Sequence, residues 1–233
     1  MFFWDGTIIL LIPAMILAIY AQHKVSSAYR KYSSVFNRKG HTGADVARQL
    51  LLASGIHDVQ VEQTPGQLSD HYDPKNKVLR LSEGVYTSAS IAAVGIAAHE
   101  TGHAVQHNIG YAPLSIRDSI VPAANLGSKM ATPLIFLGLL LSAGSGSLGF
   151  AMIQIGIVLF ALVVAFQLVT LPVEFNASGR AIELLREYHF LTEDEIGSAK
   201  KVLSAAAMTY VAAALSGLLN LLRLVLISNS RRR

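Results

Sequence analysis

The longest apolar stretch of the chain, residues 130–173, has 44 consecutive positions without Asp, Glu, Lys, Arg or His. A transmembrane helix needs about 20 apolar residues, so this stretch is long enough for two. Residues 142–149 near its middle are rich in Ser and Gly, which favour a turn. The pattern therefore predicts a transmembrane hairpin.

Two further apolar stretches lie near the ends of the chain. Residues 6–21 are uncharged, with an acidic residue before them and basic residues after them, whereas a signal peptide carries its positive charge in front. Residues 202–222 are also uncharged and precede Arg223, which we expect to snorkel to the membrane interface. The sequence thus predicts about four transmembrane helices, the first a retained anchor.

Lys and Arg residues flank these stretches unequally. They follow the first stretch, precede the hairpin and lie between the third and fourth helices, whereas the hairpin turn has none. Because cytoplasmic loops carry an excess of Lys and Arg, we expect the N-terminus outside and a multi-pass protein of the plasma membrane. The three arginines at 231–233 do not fit, so either the last segment does not fully cross or this tail is an exception.

The polar sequence between the first two apolar stretches mixes helix and strand patterns. Residues 42–54 have helical spacing and stop before Gly55. Residues 59–63 and 77–81 alternate between apolar and polar positions, and the turn residues between them favour a short antiparallel hairpin or sheet. A long helical pattern then extends to about residue 109. The predicted fold class is α+β, mainly α, with the transmembrane helices included.

Composition and charge exclude several classes of protein. Only 15% of the residues are charged and 52% are hydrophobic, which excludes a disordered chain. There is no Cys, so a disulfide framework, thiolate zinc ligands and a Cys nucleophile are excluded. The net charge is +4, but the basic residues flank apolar stretches and are not interleaved with aromatic ones. We therefore predict no nucleic-acid partner.

The last predicted helix of the polar region contains His99-Glu100-Thr101-Gly102-His103, a match to the H-E-x-x-H motif. Two histidines four residues apart share one helical face and can bind one Zn²⁺, while the Glu beside the first reaches a water on the metal. The motif predicts one zinc ion per chain and a hydrolase in which Glu100 is the general base for that water.

A catalytic zinc needs a third protein ligand. His107 lies eight residues after His99, about 12 Å further along a straight helix, so we do not expect it to bind the same ion. Gln106 and Ile109 also stand where the metzincin pattern has Gly and His. Glu174 directly follows the long apolar stretch and opens a further helical segment. From its position alone, it is either a ligand or a solvated helix start.

Four segments, residues 70–74, 99–107, 110–113 and 172–178, together resemble the YugP-like family of bacterial membrane zinc metallopeptidases. The resemblance extends over nearly the whole chain. This family is similar to the HtpX and CAAX-protease group of gluzincins, in which a Glu on a second helix completes the zinc site. The resemblance implies that His99, His103 and Glu174 are the zinc ligands and that Glu100 is the base.

With the motif and the resemblance included, the chain divides into five predicted parts. These are an N-terminal anchor (1–23), a zincin-like domain (24–129), a transmembrane hairpin (130–173), a third-ligand helix (174–201) and a C-terminal transmembrane helix (202–230).

The chain departs from the family pattern at Asn176 and Ser178. Related sequences often carry an Asp in this region that orients a zinc-bound His, so a neutral residue is expected to weaken that support. Residues 71–73 are expected either to shape a turn or to line the cleft. Arg180 and His189 are candidates for stabilising an oxyanion, with surface exposure as the alternative.

Three functions follow from these patterns. The first is a membrane-embedded zinc metalloendopeptidase that cleaves peptide or protein substrates, including membrane-associated ones, at the cytoplasmic face of the lipid bilayer. A non-catalytic zinc-stabilised scaffold or adaptor would not need Glu100. A site-2-type intramembrane protease would need the motif within an apolar span, whereas polar residues 106–108 follow it here. For the peptidase, strand 77–81 is either an exposed edge that binds extended substrate or a strand covered by its neighbours.

Overall fold

The computed structural model describes residues 6–142 and 147–230. A 3₁₀ helix, Gly6–Leu11, leads into α1. The remaining elements are, in chain order, α1 (Ile12–Ser33), α2 (Gly43–Ala53), β1 (Gln60–Thr64), β2 (His71–Asp73), β3 (Val78–Ser82), α3 (Glu83–Tyr86), α4 (Ile91–Asn108), α5 (Ala112–Leu141), α6 (Ser147–Glu187) and α7 (Glu193–Ser230). The described chain is therefore mainly helical with one small sheet, as the sequence predicts.

The chain forms two compact units. Of the described residues, 6–20, 116–142, 147–171 and 210–230 form the apolar unit, and Ala21–Ser115 and Pro172–Thr209 form the αβ unit. The helices α1, α5, α6 and α7 each contribute residues to both units.

Within the described residues, four helical segments are long and apolar enough to cross a membrane: Gly6–Ser33, Ala112–Leu141, Ser147–Glu187 and Glu193–Ser230. They match the predicted number of transmembrane helices. Large apolar side chains such as Ile16, Phe136 and Val158 are exposed on them, which suits a lipid environment. Arg223 donates a hydrogen bond from Nε to Thr7 Oγ1 at 3.3 Å. Half of the predicted hairpin turn, residues 143–146, and the tail 231–233 lie outside the described residues.

The αβ unit begins its core with α2, whose ends follow the sequence prediction. Thr42 Oγ1 accepts the N–H of Asp45, and the Asp45 carboxylate accepts the N–H of Thr42, so a capping box fixes the start of the helix. Gly55 follows its end with φ +72°, a conformation that favours glycine. The apolar face of α2 packs in one core cluster with residues of α4, α6 and α7.

The sheet differs from the predicted hairpin, because its strand order is β1-β3-β2 and β1 is parallel to β3. The antiparallel partner of β3 is β2, joined to it by a turn in which Asp73 Oδ1 accepts the N–H groups of Lys75 and Asn76. The 13 residues between β1 and β3 are enough for a parallel crossover connection. The prediction that 59–63 and 77–81 form an antiparallel pair is therefore wrong.

Strand β3 lies in the middle of the sheet and is largely buried. Of the two alternatives for strand 77–81, the exposed edge is wrong and the covered strand is confirmed. The reason is that residues 71–73, whose sequence shows no strand alternation, form an additional strand and cover the side of β3 that a two-stranded sheet with β1 would have left exposed. The free edges of this sheet are those of β1 and β2.

Helix α6 is continuous from Ser147 to Glu187, so the expectation that Glu174 starts a new helix is wrong. The first charge after an apolar stretch marks a change of environment, but it does not interrupt helical hydrogen bonding. Pro172 also lies inside the helix, as Pro122 and Pro133 do in α5. Helices in apolar surroundings tolerate such prolines because neighbouring groups satisfy the freed backbone. The predicted boundaries at 129/130, 173/174 and 201/202 all lie within continuous helices.

Candidate active site

Helix α4 carries the H-E-x-x-H motif through the interior of the αβ unit. Its first turn is capped by Ser90, whose Oγ accepts the N–H of Ala93 at 3.2 Å. On the face towards α6, Gly102 lets the two helices approach closely. A Cβ atom on Gly102 would lie only 2.6 Å from the carbonyl oxygen of Ala177. This close approach brings α6, and Glu174 with it, next to the motif.

The structure brings His99, His103 and Glu174 into one cluster whose potential ligand atoms all lie within 4.8 Å of one another. Nε2 of His99 is 3.4 Å from Glu174 Oε2, and Nε2 of His103 is 3.7 Å from Glu174 Oε1. Glu174 is buried, with 5% of its surface exposed. His107 lies outside this cluster, and its Nδ1 contacts the Tyr72 hydroxyl at 3.1 Å.

The donor set of this cluster fits a zinc ion. Two imidazole nitrogens and one carboxylate oxygen are a common set of three protein ligands at catalytic zinc. Ligand atoms about 2.0–2.2 Å from one tetrahedral ion lie roughly 3.3–3.6 Å from each other. The observed separations of 3.4 and 3.7 Å are close to that range. The side chains are thus already near the spacing that an ion requires.

The second ring nitrogen of each histidine faces a neutral side chain. His99 Nδ1 is 3.1 Å from Ser178 Oγ, and His103 Nδ1 is 3.0 Å from Gln106 Oε1. These contacts turn both Nε2 atoms towards Glu174. Ser178 therefore occupies a position next to a histidine, where the family resemblance suggests an orienting group. Asn176 instead accepts hydrogen bonds from Gln106 Nε2 and Arg180 Nε, at 3.0 and 2.8 Å.

Glu100 lies beside the cluster as a buried carboxyl group, and its Oε2 accepts the main-chain N–H of Tyr72 at 3.0 Å. Burial raises the pKa of Glu100 to about 7, and the charges of Glu174 and Asp70 act in the same direction. The positive charge of His99 and the Tyr72 N–H act against this rise. A carboxyl group with a pKa near 7 can both accept and release a proton at neutral pH.

The pKa of His99 also lies above its usual value. Burial alone would lower it, because desolvation disfavours the charged imidazolium. The hydrogen bond with Glu174 and the negative charges of Glu100 and Glu174 outweigh that effect. The site therefore has a negative electrostatic potential that favours a bound cation.

The other predicted residues have separate positions. In segment 71–73, Asp73 shapes the turn before β3, as the first alternative predicts, and the main chain of Tyr72 contacts Glu100. Arg180 borders the site through its hydrogen bond with Asn176. His189 is exposed just after α6, and its carbonyl oxygen accepts a hydrogen bond from Lys39.

The sequence reasoning missed the contacts of Gln106, which it considered only as a mismatch to the metzincin pattern. Gln106 is fully buried and contacts both His103 and α6. One signal was available, because residues three apart lie on the same face of a helix. The contact with α6 depends on how two distant helices pack, and no local pattern encodes it.

Comparison with known proteins gives two matches. Residues 7–229 match the family model described as "Putative neutral zinc metallopeptidase". The chain is 50% identical over 220 residues to the "Putative membrane protease YugP" of Bacillus subtilis (strain 168), covering 94% of this chain and 95% of that protein. No solved structure matches the chain significantly. The chain therefore belongs to this family of zinc metallopeptidases, as the resemblance of its four segments indicates.

Proposed function

We propose that the protein is a membrane-embedded zinc metalloendopeptidase in which His99, His103 and Glu174 bind the ion and Glu100 is the general base. The observation that carries the proposal is the convergence of three ligand atoms beside a buried carboxyl group. Membership of the zinc metallopeptidase family and the description of the relative as a membrane protease support it. On this proposal, the αβ unit contains a zincin-like domain of the gluzincin type.

When bound, the zinc ion supplies a Lewis acid that polarises a peptide carbonyl and lowers the pKa of water. The residues of the chain supply the proton transfers. Glu100, with its pKa near 7, accepts a proton from the attacking water and then gives it to the amine that leaves. The Tyr72 N–H fixes the carboxylate during both transfers. Because Tyr72 lies on the edge strand β2, the base and the edge of the sheet are held together.

The proposed site acts outside the lipid. Helix α4 is not among the four segments of the described chain that could cross a membrane, and Glu174 lies after the uncharged stretch 130–173, in the part of α6 that belongs to the αβ unit. Both observations favour the endopeptidase over a site-2-type intramembrane protease. From the basic flanks of the apolar segments, we place the site at the cytoplasmic face of the plasma membrane. The substrates are peptides or proteins, including membrane-associated ones.

Turnover by Glu100→Gln tests the proposed function. The purified full-length protein in detergent is loaded with zinc and given unfolded casein, and the release of peptides is measured together with bound zinc. We expect the variant to keep its zinc and to lose turnover, by at least the 10²-fold typical of a lost general base. Wild-type turnover in the variant would contradict the proposal. A zinc-loaded wild type without any hydrolytic activity would support the scaffold instead.

A further inference from the structure

Gln106 is a fully buried amide that joins the two helices of the site. Its Oε1 is 3.0 Å from His103 Nδ1 on α4. Its Nε2 donates to the main-chain oxygen of Val173 at 2.8 Å and to Asn176 Oδ1 at 3.0 Å, both on α6. Val173 directly precedes Glu174. One side chain therefore connects the second histidine of the motif to the segment that carries the carboxylate.

The partners of Gln106 determine which way its amide points. The Val173 carbonyl can only accept a hydrogen bond, so the Gln106 atom that faces it is the NH₂ group. Asn176 presents its oxygen as well, because the same atom accepts from Arg180, and a guanidinium can only donate. The remaining Gln106 atom, which faces His103, is therefore the carbonyl oxygen.

This orientation also determines the tautomer of His103. An amide oxygen cannot donate, so His103 Nδ1 must carry the hydrogen of the contact. In the neutral ring, Nε2 then has the lone pair, and Nε2 is the atom that faces Glu174. His99 is different, because its partner Ser178 is a hydroxyl that can donate or accept. The contacts thus fix the metal-binding form of His103 but not that of His99.

We propose that Gln106 is a positioning residue that fixes the His103 tautomer and holds His103 in register with Glu174. The proposal rests on the proposed function of the cluster as a zinc site. A primary amide suits this task because it offers an acceptor and two donors in one planar group. Glu at position 106 could accept from His103 but would have no donor for the Val173 and Asn176 oxygens. Leu would have neither an acceptor nor a donor.

The zinc affinity of Gln106 variants tests this positioning role without a measurement of proteolysis. The full-length protein in detergent is stripped of metal, and its dissociation constant for Zn²⁺ is measured by competition with a chelator. We expect Gln106→Leu to weaken zinc binding by about 10–100-fold, the usual effect of removing a partner of a metal-bound His. Gln106→Glu keeps an acceptor for His103 Nδ1 but loses both donors to α6, so it should weaken zinc binding by disturbing the register of His103 with Glu174. Ser178→Ala should weaken it less, because its hydroxyl does not fix a tautomer.

Val94→Ala is the matched control for stability. Val94 is fully buried on the same helix, in the core cluster with Leu50 and Leu185. Its truncation should lower the Tm of the metal-free protein and leave zinc affinity unchanged. The ¹⁵N spectrum of labelled histidine gives a second readout, because the wild type and Val94→Ala should hold the His103 hydrogen on Nδ1, whereas Gln106→Leu should show a mixture of the two tautomers.

Two results would overturn the proposal. The first is wild-type zinc affinity in both Gln106 variants, or in Gln106→Glu alone if Gln106→Leu does not fold. The second is a loss of affinity in Val94→Ala equal to that of a Gln106 variant with the same Tm, because the effect would then be one of stability alone. Failure of the proposed function is distinguishable, since it appears as missing hydrolysis with zinc binding intact.

Discussion

At the scale of single residues, the site contains two buried carboxyl groups with different partners. Glu174 faces the Nε2 atoms of His99 and His103, which suits a metal ligand. Glu100 accepts a main-chain N–H from Tyr72, and burial raises its pKa to about 7, which suits a base. The surroundings of each carboxyl group thus assign different chemistry to the same residue type.

His107→Ala tests the limit of the metal site at this scale. His107 contacts the hydroxyl of Tyr72 and lies outside the ligand cluster. We expect the variant to keep wild-type zinc content and measurable proteolysis, and to lose about 0.5–1.5 kcal/mol of unfolding free energy with the hydrogen bond. Metal analysis and a thermal melt check both. Loss of zinc in this variant would mean that α4 is distorted so that His107 reaches the ion.

At the scale of elements, the site depends on how closely α4 and α6 approach. Gly102 lies between Glu100 and His103 in the sequence and faces the backbone of Ala177. A Cβ atom at position 102 would collide with the main-chain oxygen of Ala177, and a main-chain atom cannot rotate away as the end of a side chain can. Glu174 comes close to the two histidines because Gly102 has no Cβ.

Gly102→Ala should therefore separate the two helices. Its Cβ would lie 2.6 Å from the Ala177 oxygen, and we expect a loss of about 1–3 kcal/mol of stability together with weaker zinc binding. The matched control is Gly95→Ala on the same helix, where a Cβ would meet Ala199 Cβ at an ordinary 3.6 Å. That control should be neutral or more stable, since Ala favours a helix over Gly. Equal zinc affinity in the two variants would contradict this account.

The capping box of α2 gives a prediction about stability alone. Thr42→Ala removes the cap and should cost about 1 kcal/mol without changing zinc affinity. The hydrogen bond from Thr42 lowers the pKa of Asp45 below its unfolded value of 3.8. The stability that ionised Asp45 contributes is therefore complete above about pH 3.8 and is lost as the pH falls through the pKa of Asp45 in the folded state.

Thermal melts between pH 3 and pH 7 check this prediction. The wild type should lose more stability at the acid end than Thr42→Ala. Thr87→Ala serves as the control because its exposed hydroxyl donates to the main-chain oxygen of Glu83, which does not titrate. If the Tm of the wild type and that of Thr42→Ala fall by the same amount between pH 7 and pH 3, the capping box does not cause the loss of stability in acid.

At the scale of the whole molecule, some features follow from sequence and others do not. The four apolar helices and the H-E-x-x-H face are local patterns of composition and spacing, so the sequence predicts them. Strand alternation at 59–63 identifies a strand but not its partner, so the parallel pairing of β1 with β3 was missed. The role of Gln106 depends on α6, which lies some 70 residues further along the chain.

The membrane topology is a further prediction at this scale. A reporter fused after Lys39 should be cytoplasmic, and one inserted within 142–149 should be extracytoplasmic, because the basic residues flank the first site and are absent from the second. Paired alkaline phosphatase and fluorescent protein fusions measure both positions. An extracytoplasmic reporter after Lys39 would invert the orientation and the compartment of the substrates.

The zinc content of Glu174→Gln tests the central claim most directly, because it asks whether α6 completes the metal site begun by α4. Purified Glu174→Gln should lose most of its zinc, whereas Glu183→Gln, an exposed position on the same helix, should keep one ion per chain. Glu100→Gln should keep its zinc and lose turnover. If Glu174→Gln binds zinc as tightly as the wild type while His107→Ala does not, the assignment of Glu174 as the third ligand is contradicted.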